Sequence, residues 1–252
     1  MKTTERHRLK ENELAYVIDH GLDMLGTNRQ RALAILVTVV VVGGVLGGYL
    51  VWRARTNASA EVLLGEAMTT MEAPVAQPPA PPAAGQPAAP PPPPQPGAYP
   101  TQKAKLEAAL AKFVAAANEY PKTKAGISAR YQAAGALALL NRPDEAAKRF
   151  QEVMDLAGQS SVHYEMARLG KVNAEAQARR FDEAIKTYTD LSNNKEGSVP
   201  PDAMLMQLGR VYLMAGKTQE ARTTFRRLLD EYPASPFAAE AKREVDQLTE
   251  TS

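Results

Sequence analysis

Apolar and polar positions divide this chain into two kinds of territory. From Leu33 to Trp52 run twenty consecutive residues without a charge, and only Thr38, Tyr49 and the Trp52 indole carry a polar side-chain group. After residue 101, apolar residues instead recur at intervals of three and four, and no window keeps the two-residue alternation of a strand. The first pattern predicts one long apolar helix, and the second a set of packed amphipathic helices. The expected fold class is therefore all-α: a single transmembrane helix followed by a superhelix of helix hairpins.

Twenty helical residues at about 1.5 Å each reach roughly 30 Å, the thickness of a bilayer's hydrocarbon core. Lipid offers the backbone no hydrogen-bond partner, so a helix is the form such a segment takes there. Tyr49 and Trp52 stand at the far end, where aromatic rings favour the headgroup layer. A buried core helix is the competing reading, but such runs are usually shorter or broken by polar residues. A cleaved signal has a short basic leader and a shorter apolar run. Here thirty-two residues precede the run, although Ala58-Ser59-Ala60 has the small-x-small form of a cleavage site. Lys2, Arg6, Arg8, Lys10, Arg29 and Arg31 precede the span, and only Arg53 and Arg55 follow it before Lys103. The positive-inside rule then keeps the N-terminus in the cytoplasm and exports the C-terminal part. Gly43, Gly44, Gly47 and Gly48 form two overlapping GxxxG patterns. That spacing lets two helix backbones approach, as in a homodimer or a pairing with another membrane protein. Glycine is also simply common in membrane helices.

Around the span, five segments are expected. Residues 1–32 form a cytoplasmic tail, with Asn12 capping a short amphipathic helix from Glu13 to Leu25. Residues 33–52 are the membrane helix, and residues 53–72 are again helical in character. Residues 73–100 hold thirteen of the nineteen prolines, with Pro90 to Pro94 consecutive, and cannot build a core. They are expected to be disordered or polyproline II, a spacer or an inserted loop. Residues 101–252 are the folded repeat domain.

That last segment contains an internal repeat. Ala109, Ala146, Ala184 and Ala221 each precede an aromatic residue by four positions, and Phe113, Phe150, Tyr188 and Phe225 are 37, 38 and 37 residues apart. Regular self-similarity of this period marks stacked supersecondary units. Glu119-Tyr120-Pro121 returns as Glu231-Tyr232-Pro233. In the last unit Leu205, Leu208, Gly209, Tyr212, Ala221, Phe225 and Pro233 stand at the spacing of a tetratricopeptide repeat, with leucine for the usual tryptophan. Gly209 and Ala221 are expected to face each other where the hairpin's helices come closest. In the preceding unit Val172 replaces the glycine and Glu175 the tyrosine. The first unit shows only a second helix, so its first helix must be Asn57–Glu72, with the proline stretch between the two. Phe237, Ala238, Ala241, Val245 and Leu248 suit a closing helix.

This plan resembles a family of bacterial single-span proteins with a periplasmic tetratricopeptide domain, which includes the ancillary subunit of the Sec translocon. Tyr232–Pro236 is also similar to a run in cell-division coordinators and in a lipoprotein that assists outer-membrane barrel assembly. No cysteine follows the apolar run, so a lipoprotein is excluded. The resemblance implies an inner-membrane protein with its repeats in the periplasm, docked beside translocation or envelope machinery and touching exported polypeptides. An envelope organiser, in which the proline stretch sets the reach, is the alternative.

Composition removes several function classes. Thirty basic and twenty-eight acidic residues leave a net charge of +2, without the basic footprint of a nucleic-acid binder. The absence of cysteine rules out a thiol nucleophile and a thiolate metal site. His7 and His20 are separated from His163 by the span, and no HExxH, GxSxG or phosphate loop occurs. No enzyme, metal or cofactor is expected. Binding remains, and the resemblance implies that the first helix of each pair lines a concave groove. By register its lining is Tyr131, Leu139, Met166, Leu169, Asn173, Gln177, Met206, Arg210, Leu213 and Met214. The methionines suit an adaptable apolar surface or packing between repeats, and Arg210 is the residue expected to meet a carboxylate.

Overall fold

A computed structural model describes residues 29–76 and 96–250. The expected tail helix Glu13–Leu25 and the run Pro90–Pro94 lie outside them. Among the described residues the regular structure is helical: α1 Arg29–Glu72, α2 Gln102–Glu119, α3 Lys124–Leu139, α4 Pro143–Ala157, α5 Val162–Gln177, α6 Phe181–Asn193, α7 Pro201–Met214, α8 Thr218–Glu231 and α9 Ala238–Glu250. The chain forms two compact units, one ending at Arg55 and the other beginning at Thr56.

In the first unit the described side chains of Leu33–Trp52 are exposed throughout. Among the described residues α1 is the one helix long and apolar enough to cross a membrane, with a window of mean hydropathy 2.4 and none of that window buried. The Thr38 hydroxyl donates to the Ala34 carbonyl at 2.8 Å, so this polar group is satisfied within the helix. No break follows Trp52, and the helix runs on to Glu72.

The second unit is a stack of helix pairs. The four alanine–aromatic pairs that define the repeat are all buried, each at the heart of one apolar cluster. Phe113 packs with Ala67, Ala109 and Ala129, and Leu63, Leu64 and Met68 of α1 close over that cluster. The stretch of α1 beyond Thr56 thus supplies the first helix of the first pair. At the other end Ala241 and Val245 of α9 pack with Leu205, Phe225 and Leu228.

Helix starts and turns are encoded locally. Thr101 and Thr123 accept hydrogen bonds from the backbone amides of Ala104 and Gly126, both at 3.0 Å. Pro143 occupies the first turn of α4, where a missing N–H costs nothing. The three turns inside the pairs share one geometry. Asn141, Arg179 and Gly216 take positive φ, and the next residue's amide reaches back five positions: Arg142 to Leu137, Arg180 to Glu175, Lys217 to Tyr212, at 2.8–2.9 Å.

The close approach in the last pair is made at Gly209. A Cβ on Gly209 would lie 2.3 Å from the Phe225 ring, so the glycine makes room for that phenyl group, in the cluster that also holds Ala221. Gly170 of α5 does the same for Phe150 of the preceding pair, at 2.5 Å. The α5/α6 pair has Val172 where α7 has Gly209, and its helices pack less extensively than those of α3/α4 and α7/α8.

The proline stretch is inserted within the first pair, and its ends are clasped. Val75 and Tyr99 form a parallel β-bridge: the Ala76 amide donates to the Tyr99 carbonyl at 2.8 Å, and the Tyr99 amide to the Pro74 carbonyl at 2.9 Å.

Candidate functional site

The helix pairs do not open one continuous groove along all ten expected residues. Met206 is fully buried in the last apolar cluster, and Leu213 packs against that cluster. Arg210 donates to Glu240 of α9 at 2.6 Å and is therefore not a free partner for a carboxylate. The closing helix occupies this end of the array, so Met206 and Leu213 pack against it while Arg210 is ion-paired to it. Tyr131 is half-buried, its ring edge-on to Phe150 at 5.4 Å, and burial pushes its phenol above the usual tyrosine range. Asn173 accepts a 2.5 Å hydrogen bond from the Tyr188 hydroxyl, which orients its amide. Leu139, Gln177 and Met214 are exposed at the far ends of their helices.

Met166 and Leu169 are brought together. They line an open cleft of about 480 Å³, whose other walls are Gln159–Val162 before and at the start of α5, Glu165, and Ser198–Pro200 before α7. Its surface is mainly apolar: Val162 is 72% exposed and Met166 42%. α5 packs against α3, whereas α5 and α7 are not among the extensively packed pairs. The cleft occupies the resulting gap.

Register reasoning missed Val162, Val199 and Pro200. A signal for them existed: the repeats are 37–38 residues long, against about 34 in the ordinary unit. The seven-residue connection Asn194–Pro200 and the shorter Gly158–Ser161 build the cleft's rim. Among the described residues no group of His, Cys, Asp or Glu is placed to hold a metal ion.

Residues 169–236, covering α6, α7, α8 and the second half of α5, match the family model of the tetratricopeptide repeat. This stretch is tetratricopeptide sequence. Two solved structures of a Podospora anserina putative kinesin light chain with nearly identical TPR-like repeats share the fold. One, a point variant, is 13% identical with a TM-score of 0.50, covering 59% of this chain and 79% of that one. The other is 14% identical with the same TM-score, covering 59% and 80%. No curated protein matches the chain. Tetratricopeptide repeats are interaction scaffolds, so the coarse function is protein–protein contact.

Tyr188 gives this tetratricopeptide core a pH limit. Burial holds its phenol at about 12, against an ordinary 10.0. Below pH 10 the group is protonated in both folded and unfolded chains. Between pH 10 and 12 only the unfolded chain ionises, so stability falls as pH rises. Two pK units correspond to about 2–3 kcal/mol. Urea unfolding from neutral pH to pH 12 is expected to show that loss, with a smaller loss in Tyr188→Phe.

Proposed function

We propose that this chain is a non-catalytic, membrane-anchored tetratricopeptide adaptor that offers an apolar cleft to exported polypeptides at the periplasmic face of a bacterial inner membrane. The carrying observation is the cleft: an open, mainly apolar surface at Val162, Met166, Leu169, Val199 and Pro200 on a scaffold of stacked pairs. The unburied apolar run Leu33–Trp52 supports the anchor, and the distribution of basic residues supports export of the repeats. Docking beside a translocase is the setting in which such a cleft meets unfolded apolar segments. The spacing of Gly43, Gly44, Gly47 and Gly48 in two overlapping GxxxG patterns supports pairing of the span with a second membrane helix.

The test uses the full chain in detergent and a fluorescent leucine- and alanine-rich peptide. Met166→Glu places a charge against the bound apolar side chains and is expected to weaken binding at least about tenfold. Met214→Glu, an exposed residue outside the cleft lining, is the control and leaves affinity unchanged. Equal affinity in wild type and Met166→Glu sinks the cleft reading. Protease added to spheroplasts is expected to digest the repeat domain, and its complete protection there sinks the periplasmic assignment.

A further inference from the structure

Charged residues recur at fixed places where the second helices begin. Four residues before the repeat alanine stand Arg142, Arg180 and Lys217; two before it stand Glu107, Asp144 and Asp182. Asp144 and Asp182, unlike Glu107 in the second turn of α2, are ordinary first-turn residues favoured by the helix dipole. In three dimensions they also reach across to the next pair. Asp144 lies 3.7 Å from the Arg180 guanidinium, and Asp182 lies 3.2 Å from the Lys217 ammonium. Glu107 instead pairs with Lys103 of its own helix at 3.9 Å, and only its longer-range charge reaches the Arg142 guanidinium. That guanidinium is held protonated first by its hydrogen bonds to Glu145, and the charge of Glu107 adds to them.

The acid appears where another pair follows and not where none does. The last pair has Gln219 at the equivalent position, and only α9 follows it. A purely intrahelical role for the acid gives no reason for that difference, since α8 has the same dipole as α4 and α6.

We infer that these residues form an inter-repeat charge ladder that fixes the stacking register of the pairs along the edge where their internal turns lie. Each rung joins the first turn of one second helix to the residue just before the next. The antiparallel hairpin puts this edge opposite the starts of the first helices, where the cleft opens. One edge of the stack is thus tied by charge, while the other is left free to present its apolar wall.

The ladder is tested by thermal unfolding of the full chain in detergent, at low and high salt. The rungs are exposed, so the effects are modest. Asp182→Lys is expected to lower Tm by about 2 °C at low salt and to lose part of the salt dependence. Exchanging the partners, Asp182→Lys with Lys217→Asp, is expected to restore Tm. Gln219→Asp, which faces no further second helix, gains nothing from a rung. An Asp182→Lys variant with unchanged Tm and salt response overturns the ladder. So does a double exchange whose loss is the sum of the single ones. Asp182 is 90% exposed, so failure to fold does not confuse the outcome.

Discussion

Exchanging Gly209 for leucine drives the last tetratricopeptide pair out of the folded array. A Cβ alone would lie 2.3, 2.6 and 2.7 Å from three carbons of the Phe225 ring, and that ring is fully buried among Leu205, Leu228 and Ala241. The ring cannot step aside without opening the cluster that holds α7, α8 and α9 together. Glycine inside a helix is worth about 1 kcal/mol less than alanine by propensity alone. Overpacking a tight core costs about 1–3 kcal/mol even for added methylenes, so steric conflict wins, and leucine is expected to cost at least about 3 kcal/mol. In an array, neighbouring pairs unfold partly independently. The expected result is an early circular-dichroism transition, with new protease cuts at Arg226 and Arg227. Adding Phe225→Ala to Gly209→Leu is expected to recover part of the loss, because the leucine then fills the vacated space. Equal melting of Gly209→Leu and wild type would mean that the close approach is not as tight as the geometry says.

Phe113→Ala is expected to release the first pair. Phe113 is wholly buried against Ala67, Ala109 and Ala129, with α1 residues Leu63, Leu64 and Met68 around it. Deleting a buried phenyl ring costs about 3–5 kcal/mol. The cluster is small-residue rich, so few side chains can move in to refill the cavity. The expected reading is rapid proteolysis after Glu61 and Glu66, with the segment from Pro143 to Glu231 staying resistant. If both regions became sensitive together, the array would be melting as one body instead.

Much of this architecture was legible in the chain. The alanine–aromatic pairs were visible because each second helix must bury an aromatic against the preceding helix, and that need repeats with every unit. The apolar run was visible because twenty uncharged positions leave no polar face. Two things were hidden. Register places Met206 and Arg210 on an inner wall, but it knows nothing of the closing helix, which covers the first and pairs with the second through Glu240. The cleft depends on connections, and helical periodicity carries no information about where Ser198–Pro200 comes to rest. The motif likewise fixes that Gly209 must be small, but not that the Phe225 ring is what presses closest upon it.

The clasp between Val75 and Tyr99 has a consequence for how this protein can vary. A strand of chain that departs from and rejoins a single knot can be lengthened or trimmed, while α1 still hands over to α2 at the same place. The entropic penalty for a longer closed loop grows only with the logarithm of its size. Residues added or removed between the two ends of that clasp therefore leave the packing of the first helix pair as it is.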